Sequence, residues 1–148
     1  MNDEIQDFLI HTNELNKIYP GPSGDIVALK NIDLKIKKGE FVGIVGKSGA
    51  GKTTLINMLA GLDSLTSGEV WINKEPIHLM SEDELARWRG KNIGLIFQNF
   101  HLIPTLSLLD NVLLPLDFSG TLRKKSRQFA ASLFTDVELS GHIKKLPS

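Results

Sequence analysis

Gly46-Lys47-Ser48-Gly49-Ala50-Gly51-Lys52-Thr53 decides how the rest of this 148-residue sequence is read. The octet fills every fixed position of the pattern G-x-x-x-x-G-K-[ST], and the spacing has a chemical reason. A polyphosphate must be met by donors that fit closely around it. Backbone N–H groups can converge on it only where no bulky side chain intervenes. Gly46, Gly49 and Gly51 supply that clearance, and Ser48 and Ala50 are small as well. Before the octet, Glu40-Phe41-Val42-Gly43-Ile44-Val45 is nearly continuously apolar, as a central strand buried on both faces would be. After it, Leu55, Met58, Leu59 and Leu62 recur at helical spacing, with Gly61 as a stop. Strand, loop and helix in that order aim the unpaired N–H groups and positive end of the helix at the anion. Lys52 can then place its ammonium against the outer phosphates, and Thr53 can offer its hydroxyl to a divalent cation. Thr54 follows in the same helical turn. The octet therefore predicts a site for a nucleoside triphosphate.

Further out, the segment from Phe8 to Tyr19 reads as a strand region stopped by the turn Pro20-Gly21-Pro22-Ser23-Gly24. Val27 to Leu29 and Ile32 to Ile36 follow as strands. In the second, Ile32, Leu34 and Ile36 alternate with Asp33, Lys35 and Lys37, the period of a half-buried antiparallel strand. Gly68-Glu69-Val70-Trp71-Ile72-Asn73 is a further strand, and Ile93 to Phe97 a short apolar one. Ser81 with Glu84 three residues on is a capping-box pattern, opening a helix with Leu85 and Trp88 on one face. Ser107 to Leu114 can start a helix. Leu122 to Val137 is a helical stretch, with Ala130, Leu133, Phe134 and Val137 as its inner face. The class is α/β, with an antiparallel strand layer at the N-terminus.

Composition narrows the partners. Lys plus Arg equals Asp plus Glu at 17 each, and the best basic run is only Arg123-Lys124-Lys125, so no nucleic acid is expected. With no cysteine, disulfides and thiolate zinc sites are excluded. His11, His78, His101 and His142 show no metal-ligand spacing. No apolar run approaches the roughly 18 residues needed to cross a bilayer. The start, Met1-Asn2-Asp3-Glu4, is acidic and lacks a signal-peptide core, so membrane attachment is expected only through a partner.

Many families share this loop. A GTPase would read guanine with N-K-x-D, but Asn73-Lys74-Glu75-Pro76 ends in proline. Asp117-Phe118-Ser119-Gly120 has the letters of D-x-x-G, yet Pro115 upstream argues against a central strand there. The flanks instead resemble the ATP-binding subunits of ABC transporters. Ala28-Leu29-Lys30-Asn31-Ile32 with Gly39-Glu40-Phe41 is similar to that family's lead-in. Gly61-Leu62-Asp63 with Thr66-Ser67-Gly68-Glu69 is similar to the stretch after its first helix. Ile93-Gly94-Leu95-Ile96-Phe97-Gln98 resembles its Q-loop, and Asp110-Asn111-Val112 its Glu-Asn-Val. Phe97-Gln98-Asn99-Phe100 and Leu113-Leu114-Pro115-Leu116 look most like the lipoprotein-export and macrolide-export members. The likeness runs from about Phe8 to Ser148.

The resemblance implies a phosphate-loop NTPase fold with ATP and Mg²⁺ as cofactors. Gly46, Ser48, Gly49, Ala50, Gly51, Lys52, Thr53 and Thr54 would hold the phosphates, and Tyr19 would stack on adenine. Lys52 and Gln98 would serve catalysis, with Thr53 and Gln98 on the metal side. It also implies a second ATP-binding subunit and a transmembrane permease, docked near Phe100 to Ser107. The location implied is the inner face of the plasma membrane.

Several of the family's parts are not found. Leu139-Ser140-Gly141 copies three letters of the signature Leu-Ser-Gly-Gly-Gln, but His142-Ile143-Lys144 follows, and Leu146-Pro147-Ser148 resembles the approach to the true signature. Val112 to Asp117 has apolar residues before an Asp, as Walker B does. Pro115 interrupts it, however, and Phe118 stands in the place of the catalytic Glu. No switch His is found. Residues 1–148 are thus expected to form a truncated part of an ABC ATP-binding domain. Two readings follow: a transport-coupling ATPase subunit, or a non-catalytic nucleotide-binding fragment.

Overall fold

The alternation of Ile32, Leu34 and Ile36 with charged residues finds its sheet. In the computed structural model, strand β1 (Ile10–Tyr19) lies between β2 (Ile26–Ile36) and β3 (Ser67–Ile72), with the short β4 (Glu75–Pro76) outside β3. All three pairings are antiparallel. Residues 7–118, 120 and 124–147 are described. The acidic start, Leu122 and Arg123, and Ser148 lie outside them. By contact the chain divides into two units, Met1–Leu95 and Ile96–Ser148.

In the first unit, Ile32, Leu34 and Ile36 are half-buried while Asp33, Lys35 and Lys37 face solvent. The register of β1 slips beyond Thr12 against β2 and beyond Asn13 against β3, a bulge at which Glu14 takes a φ of 46°. Helix α1 (Lys52–Leu59) and helix α2 (Glu82–Asn92) supply the other side of the core. Leu15, Leu29, Met58, Val70, Ile72, Ile77 and Trp88 form its centre, with Leu55, Leu59 and Leu85 against it. Helix α2 begins at Ser81, whose backbone N–H and hydroxyl both donate to the Glu84 carboxylate, at 2.8 and 2.7 Å. These bonds hold the Glu84 carboxyl below its ordinary range. Leu62, expected on the inner face of α1, lies beyond its end and is exposed.

Two expected strands do not form. Residues 41–45 have no strand partner among the described residues, and Phe41 and Val45 are almost fully exposed. Residues 93–97 likewise form no strand, and Ile96 is 96% exposed, although Ile93 packs on the core. The physical reason is common to both. A two-faced apolar strand is held by ladder bonds to neighbours, and no described residue pairs with either segment. Beside residue 93 an apolar groove of about 420 Å³ opens, walled by Leu9, Ile56, Leu59, Ile72 and Leu95 among others.

The second unit is helical. Helix α3 (Leu108–Phe118) contains Pro115, so residues 112–117 are not the strand that a Walker B motif needs. Its first turn is closed by Ser107, whose Oγ accepts from the Asp110 N–H at 3.1 Å and donates to the Asp110 carboxylate at 2.6 Å. Helix α4 (Lys124–Asp136) buries Ala130 and Phe134. Leu133 and Val137, expected on the same inner face, are 40% and 62% exposed. The Leu139-Ser140-Gly141 triplet leads into a three-residue 3-10 turn, Ser140–His142. Among the described residues, no helix is long and apolar enough to cross a membrane.

Candidate functional site

The loop of residues 46–51 is exposed apart from Gly51, and it runs directly into α1. Gly49 and Gly51 hold φ angles of 79° and 81°, the left-handed region that side chains disfavour. At Gly51 a Cβ would also lie 2.5 Å from the Ala28 carbonyl oxygen and 3.1 Å from Leu29 Cδ2. That glycine is needed for the loop's own packing on β2 as well as for clearance. Gly51 caps α1 without a side-chain hydrogen bond, and the first turn carries no acidic residue. The donors of that turn therefore meet neither an internal acceptor nor an opposing carboxylate.

Lys52 folds back over the loop. Its Nζ donates to the Gly46 carbonyl at 2.8 Å and to the Lys47 carbonyl at 2.7 Å. An ammonium has three donors, and the two carbonyls take two of them. Thr53 is exposed at the helix start, and Thr54 beside it is half-buried. Small-residue loop, uncapped helix start and ammonium together form a cationic, donor-rich surface. Its chemistry fits a polyphosphate.

Tyr19 ends β1 in the same unit, half-buried. Its hydroxyl donates to Asp63 Oδ2 at 2.8 Å. The buried Lys17 donates to Asp63 Oδ1 at 2.8 Å and to the Ser64 carbonyl at 2.6 Å, and its ammonium stands 4.6 Å from the Tyr19 ring centre. Sequence reasoning quoted Asp63 only within a family stretch and gave Lys17 no role. The pairs join residues 44 and 46 positions apart, so no local pattern could have announced them.

The cluster sets two titrations. The hydrogen bond to Asp63, with burial second, raises the Tyr19 phenol above its ordinary value, and the Thr54 hydroxyl acts against that rise. For Asp63 burial acts upward, but the bonds from Lys17 and Tyr19 outweigh it and hold the carboxyl below its usual range. A raised phenol contributes stability that is complete below about pH 10 and lost as pH rises through the folded value. A lowered carboxyl contributes stability complete above about pH 4 and lost as pH falls through the folded value. Tyr19 is the single tyrosine of the chain, so ultraviolet absorbance of tyrosinate reads it alone. Titration should place its midpoint above that of a free tyrosine, and Asp63→Asn should bring it down. An unshifted midpoint in the unaltered chain would contradict the hydrogen bond.

Gln98 belongs to the second unit, exposed at a bend. In the loop after it, Phe100 is 86% exposed, and Leu102 and Ile103 also face solvent. This loop does not fold onto a core of its own. The Asn111 amide fastens its far end, accepting from the Ile103 N–H at 2.7 Å and donating to the carbonyls of Ile103, Leu106 and Ser107 at 3.0–3.1 Å. Among the described residues, no group of three or more His, Asp or Glu side chains could hold a metal ion.

A family profile described as "ABC transporter" matches residues 29–147. The chain is 35% identical over 144 residues to the lipoprotein-releasing system ATP-binding protein LolD of Idiomarina loihiensis, covering 97% of this chain and 63% of that protein. It is 44% identical over 139 residues to the uncharacterised ABC transporter ATP-binding protein MJ1508 of Methanocaldococcus jannaschii, covering 94% and 62%. Among solved structures it superposes on the ATP-binding cassette MJ0796, a dimer in a post-hydrolysis state bound to ADP and Pi. The TM-score is 0.85 and the identity 39%, over 93% of this chain and 61% of that one. The chain thus spans about three-fifths of the length of these three.

Proposed function

This chain belongs to the ABC transporter family, in its ATP-binding part, and from that premise we propose that residues 46–54 bind the phosphates of ATP. The observation that carries the reading is the left-handed glycine loop entering an uncapped helix beneath the Lys52 ammonium. The backbone N–H groups of Gly46, Ser48, Gly49 and Gly51 would take the inner phosphates and Lys52 the outer ones, while Ala50, whose N–H donates to the Lys47 carbonyl, would line the loop. Thr53 and Thr54 would add hydroxyl groups at the helix start. Mg²⁺, when bound with the nucleotide, would neutralise phosphate charge, with the Thr53 hydroxyl as its protein contact in the first unit. No acidic cage is present among the described residues, so such an ion would be held largely by phosphate oxygens. Tyr19 would lie against the adenine.

In a complete protein of this family type, the unit would pair with a second ATP-binding subunit and act on a membrane permease. We take the transport type to be export or lipoprotein release, and the LolD relative supports the second. The exposed apolar loop of residues 100–107 suits a short helix of the permease, and that attachment would place the chain peripherally on the cytoplasmic face of the membrane.

The second reading, a nucleotide-binding fragment without turnover, is favoured by the helical form of residues 112–117. In that form they supply no carboxylate at the end of a Walker B strand. Calorimetry should therefore show uptake of Mg·ATP, while phosphate release stays at the rate of buffer alone. Turnover that disappears on replacing Lys52 would overturn the fragment reading and restore the catalytic one.

A further inference from the structure

We infer that Asp63 is the positioning residue that fixes the Tyr19 ring as a platform for the base of the nucleotide. The inference rests on the reading of Tyr19 as the base-stacking aromatic. An aromatic at a strand end is a poor platform if it can swing about its side-chain torsions, because each orientation lost on binding weakens the complex. Here the phenol is tethered at its far end by the 2.8 Å bond to Asp63 Oδ2. The other carboxylate oxygen holds Lys17 at 2.8 Å, and the Ser64 carbonyl holds it at 2.6 Å. So held, the ammonium stands over the Tyr19 ring 4.6 Å from its centre. One ring face is thereby taken by a cation, and a planar base can stack only on the other. One carboxylate thus sets both the tilt of the ring and the face it presents.

The carboxylate also reaches the phosphate site through the fold. Asp63 lies in the turn after α1, past Ala60, Gly61 and Leu62; the first turn of that helix is the proposed phosphate-binding turn, and its Thr54 hydroxyl acts against the rise in the Tyr19 titration. Base platform and phosphate loop are therefore referred to one helix. The sequence distance between Tyr19 and Lys52 is bridged by side chains rather than by backbone.

The test separates base from phosphate. Kd values are measured by calorimetry for Mg·ATP and for Mg·tripolyphosphate, which has no base, on the unaltered chain and on Asp63→Asn and Tyr19→Phe. Circular dichroism and melting of each variant accompany them. Tyr19→Phe keeps the ring and removes only its tether, so it serves if Asp63→Asn folds poorly. Loss of part of a stacking contact should weaken ATP binding about three- to tenfold in both variants, with tripolyphosphate changed less than about twofold. Unchanged ATP affinity in both variants would overturn the positioning role. So would an equal loss for both ligands, which marks a merely structural effect. An unaltered chain that binds neither ligand would instead sink the phosphate-loop reading, and this inference with it.

Discussion

Lys52→Ala should weaken Mg·ATP binding by about ten- to a hundredfold, the equivalent of losing about 1.5–3 kcal/mol of charge-assisted hydrogen bonding. Two effects act in the same direction. The ammonium is the one formal charge that the loop of residues 46–53 presents besides Lys47, so its loss leaves phosphate charge less compensated. The same group ties the carbonyls of Gly46 and Lys47 together, and without it the loop loses the side-chain clasp across its width. Those carbonyls are solvent-exposed, so stability itself should change little and the melting temperature should stay close to that of the unaltered chain. Calorimetric titration checks both halves. Equal affinity for Mg·ATP with and without Lys52 would end the phosphate-loop reading, whatever the family membership.

Gly68→Ala should cost about 2–5 kcal/mol of stability, the sum of about 1–2 for a left-handed alanine and about 1–3 for overpacking. Gly68 has a φ of 94°, and a Cβ there would stand 2.2 Å from the Glu14 carbonyl oxygen and 2.7 Å from that of Asn13. Neither backbone can easily retreat. Glu14 sits in the bulge of β1, which is bonded on both sides, to β2 and to β3. A domain of this size has roughly 5–15 kcal/mol in total, so the variant should unfold at much lower urea and express poorly. Gly24→Ala is the control. Its φ is 114°, but nothing lies within 4 Å of the added carbon, so only conformational strain applies. If the two variants share one urea midpoint, the bulge yields more readily than its hydrogen bonds suggest. Because β1 ends at Tyr19, a lesion at Gly68 should also weaken ATP binding in proportion to the unfolded fraction.

Much of the first unit was legible because its signals are local. The alternation of Ile32, Leu34 and Ile36 names a half-buried strand, and a half-buried strand is what β2 provides. Ser81 and Glu84 announce the start of α2 across only three residues, and the bonds form. The errors share a cause. Residues 41–45 and 93–97 have strand-like composition, but strand character needs partners, which composition does not contain. Leu133 on α4 and Val137 just past its end have the right helical spacing, yet spacing says which residues share a face, not whether anything covers it.

The proposed phosphate loop was legible in the sequence alone, because small residues, a glycine turn and a lysine at fixed offsets act within eight positions of each other. Family membership followed from the same kind of short-range text around it. Tertiary structure alone decided the cluster of Lys17, Tyr19 and Asp63, in which β1 meets the turn after α1. It also decided that Gly51 and Gly68 must be glycine because a distant carbonyl crowds each of them. Contacts between residues tens of positions apart arise only when the sheet closes, and no periodicity along the chain encodes them.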